Sequence, residues 1–151
     1  LEYLKHETEV WFEVTTLLIP GYNDSGSELE KLSCWMVEQL GPEVPLHFSA
    51  FHPDWKMRDV ERTPHQTLIR AREIALANGI HHVYMGNVHD HQGSSTYCHA
   101  CGQILIGRDW YVLSDWNLDS QGRCSNCLEP CPGHFEPTPG SWGSRRKPVQ
   151  V

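Results

Sequence analysis

The sequence predicts an α/β fold in which a β-α-β-α-β unit is followed by a small cysteine-rich extension. β-prone and helical segments alternate through residues 1–88, and this alternation is typical of a parallel sheet with right-handed crossovers. Two Cys-x-x-Cys pairs stand 22 residues apart in the last third of the chain. We therefore divide the chain into residues 1–90, the extension at residues 91–136, and a Pro/Gly/Ser-rich tail at residues 137–151 that we expect to be disordered.

The first strand and the first helix are predicted between residues 10 and 40. Val10–Ile19 is apolar on both faces, which predicts a strand covered on both sides. A Pro-Gly pair ends this strand, and Ser25 with Glu28 forms a capping box for a helix. The helix carries apolar residues at helical spacing, namely Leu29, Leu32, Met36 and Leu40. Cys34 lies in the same helix, and we expect it to be a small buried apolar side chain.

Two further strands and one helix complete this unit. Leu46–Phe51 and His82–Met85 are β-prone, and the helix between them begins at Thr63-Pro64 and ends at Asn78-Gly79. Ligand sites of parallel sheets lie where the strands end. Polar and special-geometry residues gather in three such segments, Ile19–Asn23, Phe51–Pro53 and Gly86–Asn87. For any one of these residues alone, an ordinary loop role is the simpler interpretation.

The four cysteines of the extension have the spacing of a zinc site. Cys98 and Cys101 form one pair, Cys124 and Cys127 the other, and four thiolates on two short turns can close a tetrahedral shell around one ion. Gly102 directly follows the first pair, where the turn needs a residue that tolerates positive φ. This pattern favours zinc.

The residues between the two pairs predict a β-hairpin. Ile104–Ile106 and Trp110–Leu113 are the two strands, and the chain turns between them at Gly107–Asp109. A hairpin of this size returns the second cysteine pair to the first. We therefore interpret the extension as a zinc ribbon.

Other cysteine chemistry stays open at this point. Two disulfides are the alternative to zinc, since paired cysteines are typical of small secreted domains. No signal peptide is visible, but the chain begins at Leu1 without methionine, so an upstream segment can be missing. Cys131, His99 or His134 can replace one ligand of the quartet. Cysteines used as metal ligands favour a reducing compartment, hence the cytoplasm.

Composition excludes several classes of function. The net charge of −7 argues against a nucleic-acid-binding surface, and only Arg145–Lys147 is locally basic. No apolar run reaches the length of a membrane span. A phosphate-binding glycine loop, a Gly-x-Ser-x-Gly elbow and a His-Glu-x-x-His helix are all absent from the sequence. No residue of this chain is therefore assigned a catalytic role.

Several segments resemble one enzyme family in order and combination. The first group is Thr16–Asp24, Pro45–Pro53 with Lys56-Met57, Ala71–Ala75 with Gly79, and Val83–Asn87. These segments resemble the late barrel strands of radical S-adenosylmethionine (SAM) enzymes related to pyruvate formate-lyase activating enzyme. The second group, Thr96–Cys101, Leu105–Arg108 and Gly122–Cys127, resembles the cysteine-bearing C-terminal extension of that group. The radical SAM enzymes of the AmmeMemoRadiSam system are the subgroup that the chain resembles most.

The resemblance implies a partial parallel (β/α) radical SAM barrel followed by a zinc-ribbon-like extension. Members hold a [4Fe–4S] cluster on a Cys-x3-Cys-x2-Cys loop, and the cluster reduces SAM to methionine and a 5′-deoxyadenosyl radical. This chain has no such loop, because the string Cys124, Cys127, Cys131 reverses the spacing. A second departure is Leu128, which stands where the family tends to have glycine.

The resemblance therefore implies a fragment that needs the missing N-terminal half as its partner. Zinc would belong to this chain, and the cluster and SAM to the full-length parent. Asn23 and His52 are then the candidates for contacts to SAM or substrate. Alone, the chain is expected to be inactive and to associate with itself or with a protein substrate. The alternative hypothesis is a non-catalytic zinc-ribbon module that holds a protein partner on an α/β scaffold.

Overall fold

A computed structural model describes residues 1–140 and 143–144, so part of the tail predicted to be disordered lies outside the described residues. The chain forms two compact units, Leu1–Gly93 and Ser94–Val151. The first unit contains α1 (Glu2–Glu7), β1 (Val14–Leu18), α2 (Gly26–Leu40), β2 (Leu46–Ala50), α3 (His65–Ala77) and β3 (Val83–Gly86). The short α4 (His91–Ser94) leads to β4 (Thr96–Tyr97), β5 (Ile104–Asp109) and β6 (Val112–Trp116). None of the helices in the described residues is long and apolar enough to cross a membrane.

The predicted three-stranded parallel sheet is confirmed. β1, β2 and β3 lie side by side in chain order and all pair in parallel. The register places Thr15 opposite His47 and His47 opposite Tyr84. The mixed α/β class of the chain therefore follows from the alternation of strand and helix segments.

Helices α2 and α3 pack on one face of the sheet and form the core of the first unit. The inward side chains of the strands are buried, among them Leu18, Leu46, Phe48, Ala50, Val83 and Met85. Met36 of α2 and Leu68 of α3 meet them with no exposed surface. Each of the larger buried side chains, such as Phe48 or Met36, contributes about 1.5–3 kcal/mol to folding through burial.

The capping box of α2 forms, whereas the prediction for Cys34 is wrong. The Ser25 hydroxyl donates to Glu28 Oε2 at 2.7 Å and accepts from the Glu28 N–H at 3.3 Å. Cys34 is exposed, and its thiol donates to Asn78 Oδ1 at 3.2 Å. The helix register places Ser33 in the core instead, where its hydroxyl donates to the Leu29 carbonyl at 2.7 Å.

The expectation that both faces of β1 are covered is also wrong. The strand begins at Val14 rather than at Val10, and Leu17 on its outer face is 44% exposed. Thr15 on the same face is exposed, while His47 and Tyr84 on the neighbouring strands are only partly buried. Among the described residues, helices cover one face of the sheet and the other face is open.

The second unit is built on an antiparallel sheet in the order β4-β5-β6. The predicted hairpin is present, but its strands are longer than expected and it turns at Trp110 and Tyr111. Trp110 adopts a φ of 52° in this turn. Gly107, predicted in the turn, lies inside β5, and a Cβ there would overlap the side chains of Ser114 and Asp115.

Candidate metal centre

The four predicted cysteines come together in the second unit. Their Sγ atoms all lie within 4.8 Å of one another. Sγ of Cys98 lies 3.5 Å from Sγ of Cys127, and Sγ of Cys101 lies 3.7 Å from Sγ of Cys124. Zinc–sulfur bonds of about 2.3 Å in a tetrahedron place the sulfurs about 3.8 Å apart. The quartet therefore fits a tetrahedral ion such as zinc.

The first cysteine turn is closed by two backbone hydrogen bonds. The Gly102 N–H donates to the Cys98 carbonyl at 2.9 Å, and the Cys98 N–H donates to the Gln103 carbonyl at 2.8 Å. Gly102 has a φ of 73°, in the left-handed region where glycine carries no Cβ penalty. The predicted reason for glycine at this position is therefore observed.

The second cysteine turn repeats the first, bond for bond. The Leu128 N–H donates to the Cys124 carbonyl at 2.9 Å, and the Cys124 N–H donates to the Glu129 carbonyl at 2.8 Å. Leu128 has a φ of 65°, so it adopts the conformation that Gly102 adopts in the first turn. A leucine in this region is strained, and the turn nevertheless keeps its geometry.

Electrostatics in the quartet favours a bound cation. Backbone N–H donation from Gln103, followed by the Asn126 amide, lowers the pKa of Cys101 to about 6. The Glu129 N–H lowers the pKa of Cys127, but the neighbouring Cys101 thiol, burial and the other thiols outweigh it and raise this pKa to about 12. Four sulfurs this close cannot all be thiolates without a positive charge between them.

The alternative ligands lie outside the close quartet. Cys131 is buried in the same apolar cluster as Cys98 and Cys124, and its thiol faces the Pro132 carbonyl at 3.9 Å. Burial, followed by the charge on Cys98, raises the pKa of Cys131 to about 11. His99 Nε2 lies 3.5 Å from Glu129 Oε1, and His134 lines a groove beside Trp116. All six cysteines are free thiols, so the structure contains neither of the two disulfides.

The strand-end residues Asn23 and His52 lie in the first unit. The Asn23 side chain closes its own loop, since Oδ1 accepts from the Ile19 N–H at 2.7 Å and Nδ2 donates to the Leu17 carbonyl at 3.0 Å. His52 is exposed in the loop after β2. Asn23 follows the carboxyl end of β1, and His52 follows that of β2.

Thr63 joins the ends of two strands, and sequence reasoning missed this role. Its hydroxyl donates to the Leu18 carbonyl at 2.6 Å and accepts from the Phe51 N–H at 2.8 Å. All three residues are buried. The sequence predicts Thr63 only as the start of a helix, and no local pattern in the sequence indicates its contact with β1.

Polar residues on the open sheet face were missed as well. His47 Nε2 lies 2.6 Å from Glu13 Oε2, and the His47 ring lies 4.8 Å from the Tyr84 ring. The signal that could have found them is the alternation in β2, where His47 and Ser49 are interleaved with buried apolar residues.

Comparison with known proteins finds a relative that is longer than this chain. An uncharacterized protein of Methanocaldococcus jannaschii is 46% identical to this chain over 121 residues, which are 80% of this chain and 36% of the relative. The chain thus spans little more than a third of the length of the curated relative it matches. No family model matches the chain, and no solved structure matches it. The relative's name states no activity.

Proposed function

We propose that this chain is part of a radical SAM enzyme of the pyruvate formate-lyase activating enzyme-like group. In this proposal the parallel sheet supplies late strands of a partial (β/α) barrel, and the cysteine quartet holds a structural zinc ion. The part of the complete enzyme outside this chain would hold the [4Fe–4S] cluster, which would supply the electron for the reductive cleavage of SAM. In this proposal the present chain helps to bind and position SAM and the substrate. It is inactive without the part of the enzyme that bears the cluster.

The observation that carries the proposal is the parallel sheet with one covered face and one open polar face. Parallel sheets are almost always covered on both faces. The open face here bears His47, Ser49 and Tyr84 beside the exposed side chain of Leu17, so a hydrophobic cover would bury polar groups at a cost. Closing the sheet into a barrel with further strands would instead make this face the wall of a polar chamber.

The longer relative supports the presence of further strands in the complete enzyme. Nearly two thirds of that protein lies outside the part matched by this chain. Three strands are too few to close a barrel, and β1 is an edge strand of the sheet. We propose that strands from the rest of such a longer protein pair with this edge.

The zinc site would serve folding rather than redox chemistry. A four-thiolate shell leaves no open coordination position, which is typical of structural zinc. Small metal domains take much of their folding free energy from the ion. We therefore expect zinc to hold the two cysteine turns together in the complete enzyme.

The test uses the longer Methanocaldococcus jannaschii relative beside this chain. Both are purified anaerobically, reconstituted with iron and sulfide, and incubated with SAM and dithionite. We expect the longer protein to hold a [4Fe–4S] cluster and to release 5′-deoxyadenosine and methionine in equal amounts, whereas this chain releases neither. A longer protein that binds no cluster, or whose cluster leaves SAM intact, would refute the proposal.

A second candidate function is a non-catalytic zinc ribbon that binds a protein partner. The observation in its favour is the exposed apolar turn of the hairpin, in which Trp110 is 51% exposed, Tyr111 64% and Val112 63%. Aromatic side chains of this kind are enriched at binding hot spots. Zinc in the longer relative together with intact SAM would favour this second function.

A further inference from the structure

The four cysteines of the quartet differ in their exposure to solvent. Cys98 and Cys124, the first cysteine of each turn, are buried, with 3% and 0% of their surface exposed. Cys101 and Cys127, the second cysteine of each turn, are exposed. Oxidation or alkylation of a cysteine requires a thiolate that the reagent can reach. Within the quartet, Cys101 and Cys127 therefore offer their sulfurs to a dissolved reagent.

The backbone donates to these two exposed sulfurs in the same way. The Gln103 N–H donates to the Cys101 sulfur, and the Glu129 N–H donates to the Cys127 sulfur. Each donor stands two residues after its cysteine, in turns whose other backbone hydrogen bonds also correspond. Backbone donation therefore does not distinguish Cys101 from Cys127.

One side-chain donor breaks this equivalence. Asn126 of the second turn donates from Nδ2 to the Cys101 sulfur of the first turn at 3.5 Å. The equivalent position of the first turn is occupied by Ala100, whose methyl group cannot donate to Cys127. Among the residues that the structure describes, the side chains that share hydrogen bonds with the Cys127 sulfur are the other thiols of the quartet. Cys127 therefore lacks the additional donor that Cys101 receives.

A hydrogen bond to a thiolate lowers the reactivity of its sulfur. The donor stabilises the negative charge, and the nucleophilicity of the sulfur falls as that charge is stabilised. Because zinc binds cysteine as thiolate, both exposed sulfurs carry this charge in the zinc-loaded chain. The exposed sulfur with fewer donors, that of Cys127, is then the better nucleophile.

We propose that Cys127 is a modification site, the position at which a peroxide first oxidises the zinc centre. The Cys127 thiolate attacks one oxygen of hydrogen peroxide, an S–O bond forms and the O–O bond breaks. The sulfur is oxidised by two electrons, the peroxide is reduced, and hydroxide leaves. The product is a sulfenic acid, which is no longer a thiolate ligand, so zinc is lost more readily. This inference rests on the zinc centre of the proposed function and holds for either of the two functions above.

The test compares the rates at which individual cysteines of the zinc-loaded chain react. A short pulse of N-ethylmaleimide, to which a thiolate adds at the C=C bond, marks the most reactive sulfurs, and peptide mass spectrometry locates the adducts. Cys34, exposed and outside the quartet, reports the reagent dose in every sample. We expect Cys127 to react about threefold faster than Cys101, and the two buried cysteines to react only after zinc has left.

Elemental analysis of the starting material separates two kinds of failure. A chain that holds no zinc refutes the metal centre, and this inference falls with it. A chain that holds one zinc but whose Cys101 reacts as fast as Cys127, or faster, refutes this inference alone and leaves the metal centre standing.

Exchanging the side-chain donor between the two turns gives matched variants. Ala100→Asn supplies the missing donor and should slow the reaction of Cys127 about threefold, with no change at Cys101. Asn126→Ala removes the existing donor and should speed the reaction of Cys101 about threefold, so that both sulfurs react alike. Ser125→Ala is the control, because Ser125 is exposed in the same turn and donates to neither sulfur. It should change neither rate.

Hydrogen peroxide then links this reactivity to zinc release, which a colorimetric chelator records. Ala100→Asn should release zinc about twofold more slowly than the unchanged chain, because Cys101 and Cys127 then react equally slowly. Zinc release that is as fast in Ala100→Asn as in the unchanged chain would overturn the proposal. If Ala100→Asn does not bind zinc, Asn126→Ala decides, and an unchanged Cys101 rate in that variant likewise refutes the role of the donor.

Discussion

Backbone strain at Leu128 predicts how substitutions in the two cysteine turns change the stability of the protein. Leu128 and Gly102 occupy equivalent positions, with φ values of 65° and 73°. A side chain in the left-handed region costs about 1–2 kcal/mol, whereas glycine costs about 0.4–1 kcal/mol relative to alanine through its freedom in the unfolded chain. The difference favours glycine over alanine at either position by about 1 kcal/mol.

A matched pair of variants isolates this free-energy difference between glycine and alanine. Leu128→Ala and Leu128→Gly both remove the same leucine side chain, which is 57% exposed, so lost packing cancels between them. We expect Leu128→Gly to be more stable than Leu128→Ala by about 1 kcal/mol. Gly102→Ala should lower stability by about the same amount. No atom lies within 4 Å of a Cβ at Gly102, so a clash adds nothing there.

The assay is denaturant unfolding of the zinc-loaded chain, with zinc release as the probe of the second unit. Gly26→Ala serves as the control, because Gly26 begins α2, has no positive φ and has open space around a Cβ. This change should leave the stability of the zinc-binding unit as it is. A Leu128→Ala protein as stable as Leu128→Gly would refute the argument that backbone strain, rather than packing, governs this position.

Three further predictions concern the metal and the strand ends. Cys124→Ser should lose zinc and unfold the second unit, since small metal domains depend on the ion, while the parallel sheet keeps its circular dichroism. The zinc content per chain and thermal melts measure this. Retention of one zinc per chain would contradict it. Zinc binds thiolates only, so bound thiols have a lower pKa than free ones, and zinc-dependent stability is therefore present at high pH and lost as pH falls. Cys127, whose pKa is raised to about 12, should release a proton on zinc binding at neutral pH. Calorimetry in buffers of different ionisation enthalpy detects this proton release. Zinc binding without proton release would contradict the prediction. Thr63→Val should cost about 2–4 kcal/mol because it leaves the buried Leu18 carbonyl and Phe51 N–H without their side-chain partner; a loss no larger than that of Thr15→Val on the open face would contradict it.

Local patterns in the sequence predicted the elements and the quartet. The capping box at Ser25 and the helical spacing from Leu29 to Leu40 located α2, and the β-prone runs located the three parallel strands. The two Cys-x-x-Cys pairs indicated four ligands that the structure brings within 4.8 Å. These features depend on residues close together in the chain, and their sequence signal is therefore strong. The assignment to radical SAM enzymes, with Asn23 and His52 as contacts, stays a prediction.

Features that depend on distant segments were decided by the tertiary structure. Cys34 is apolar enough for the core, yet its position in the helix faces solvent while Ser33 faces the sheet. Leu128 adopts a backbone conformation that its residue type disfavours, in a turn whose cysteines meet the distant pair Cys98 and Cys101. Thr63 joins two strand ends that lie 45 and 12 residues away in the chain.

The sequence by itself determined which residues alternate along each strand, since that period is a property of the extended backbone. Only the tertiary structure decided that helices cover one face and that Glu13, His47 and Tyr84 meet on the other. The physical reason is that burial of a strand face depends on which other segments pack against it. Val10–Ile19 is apolar enough for a fully covered strand, but α2 and α3 both pack on the same side of the sheet.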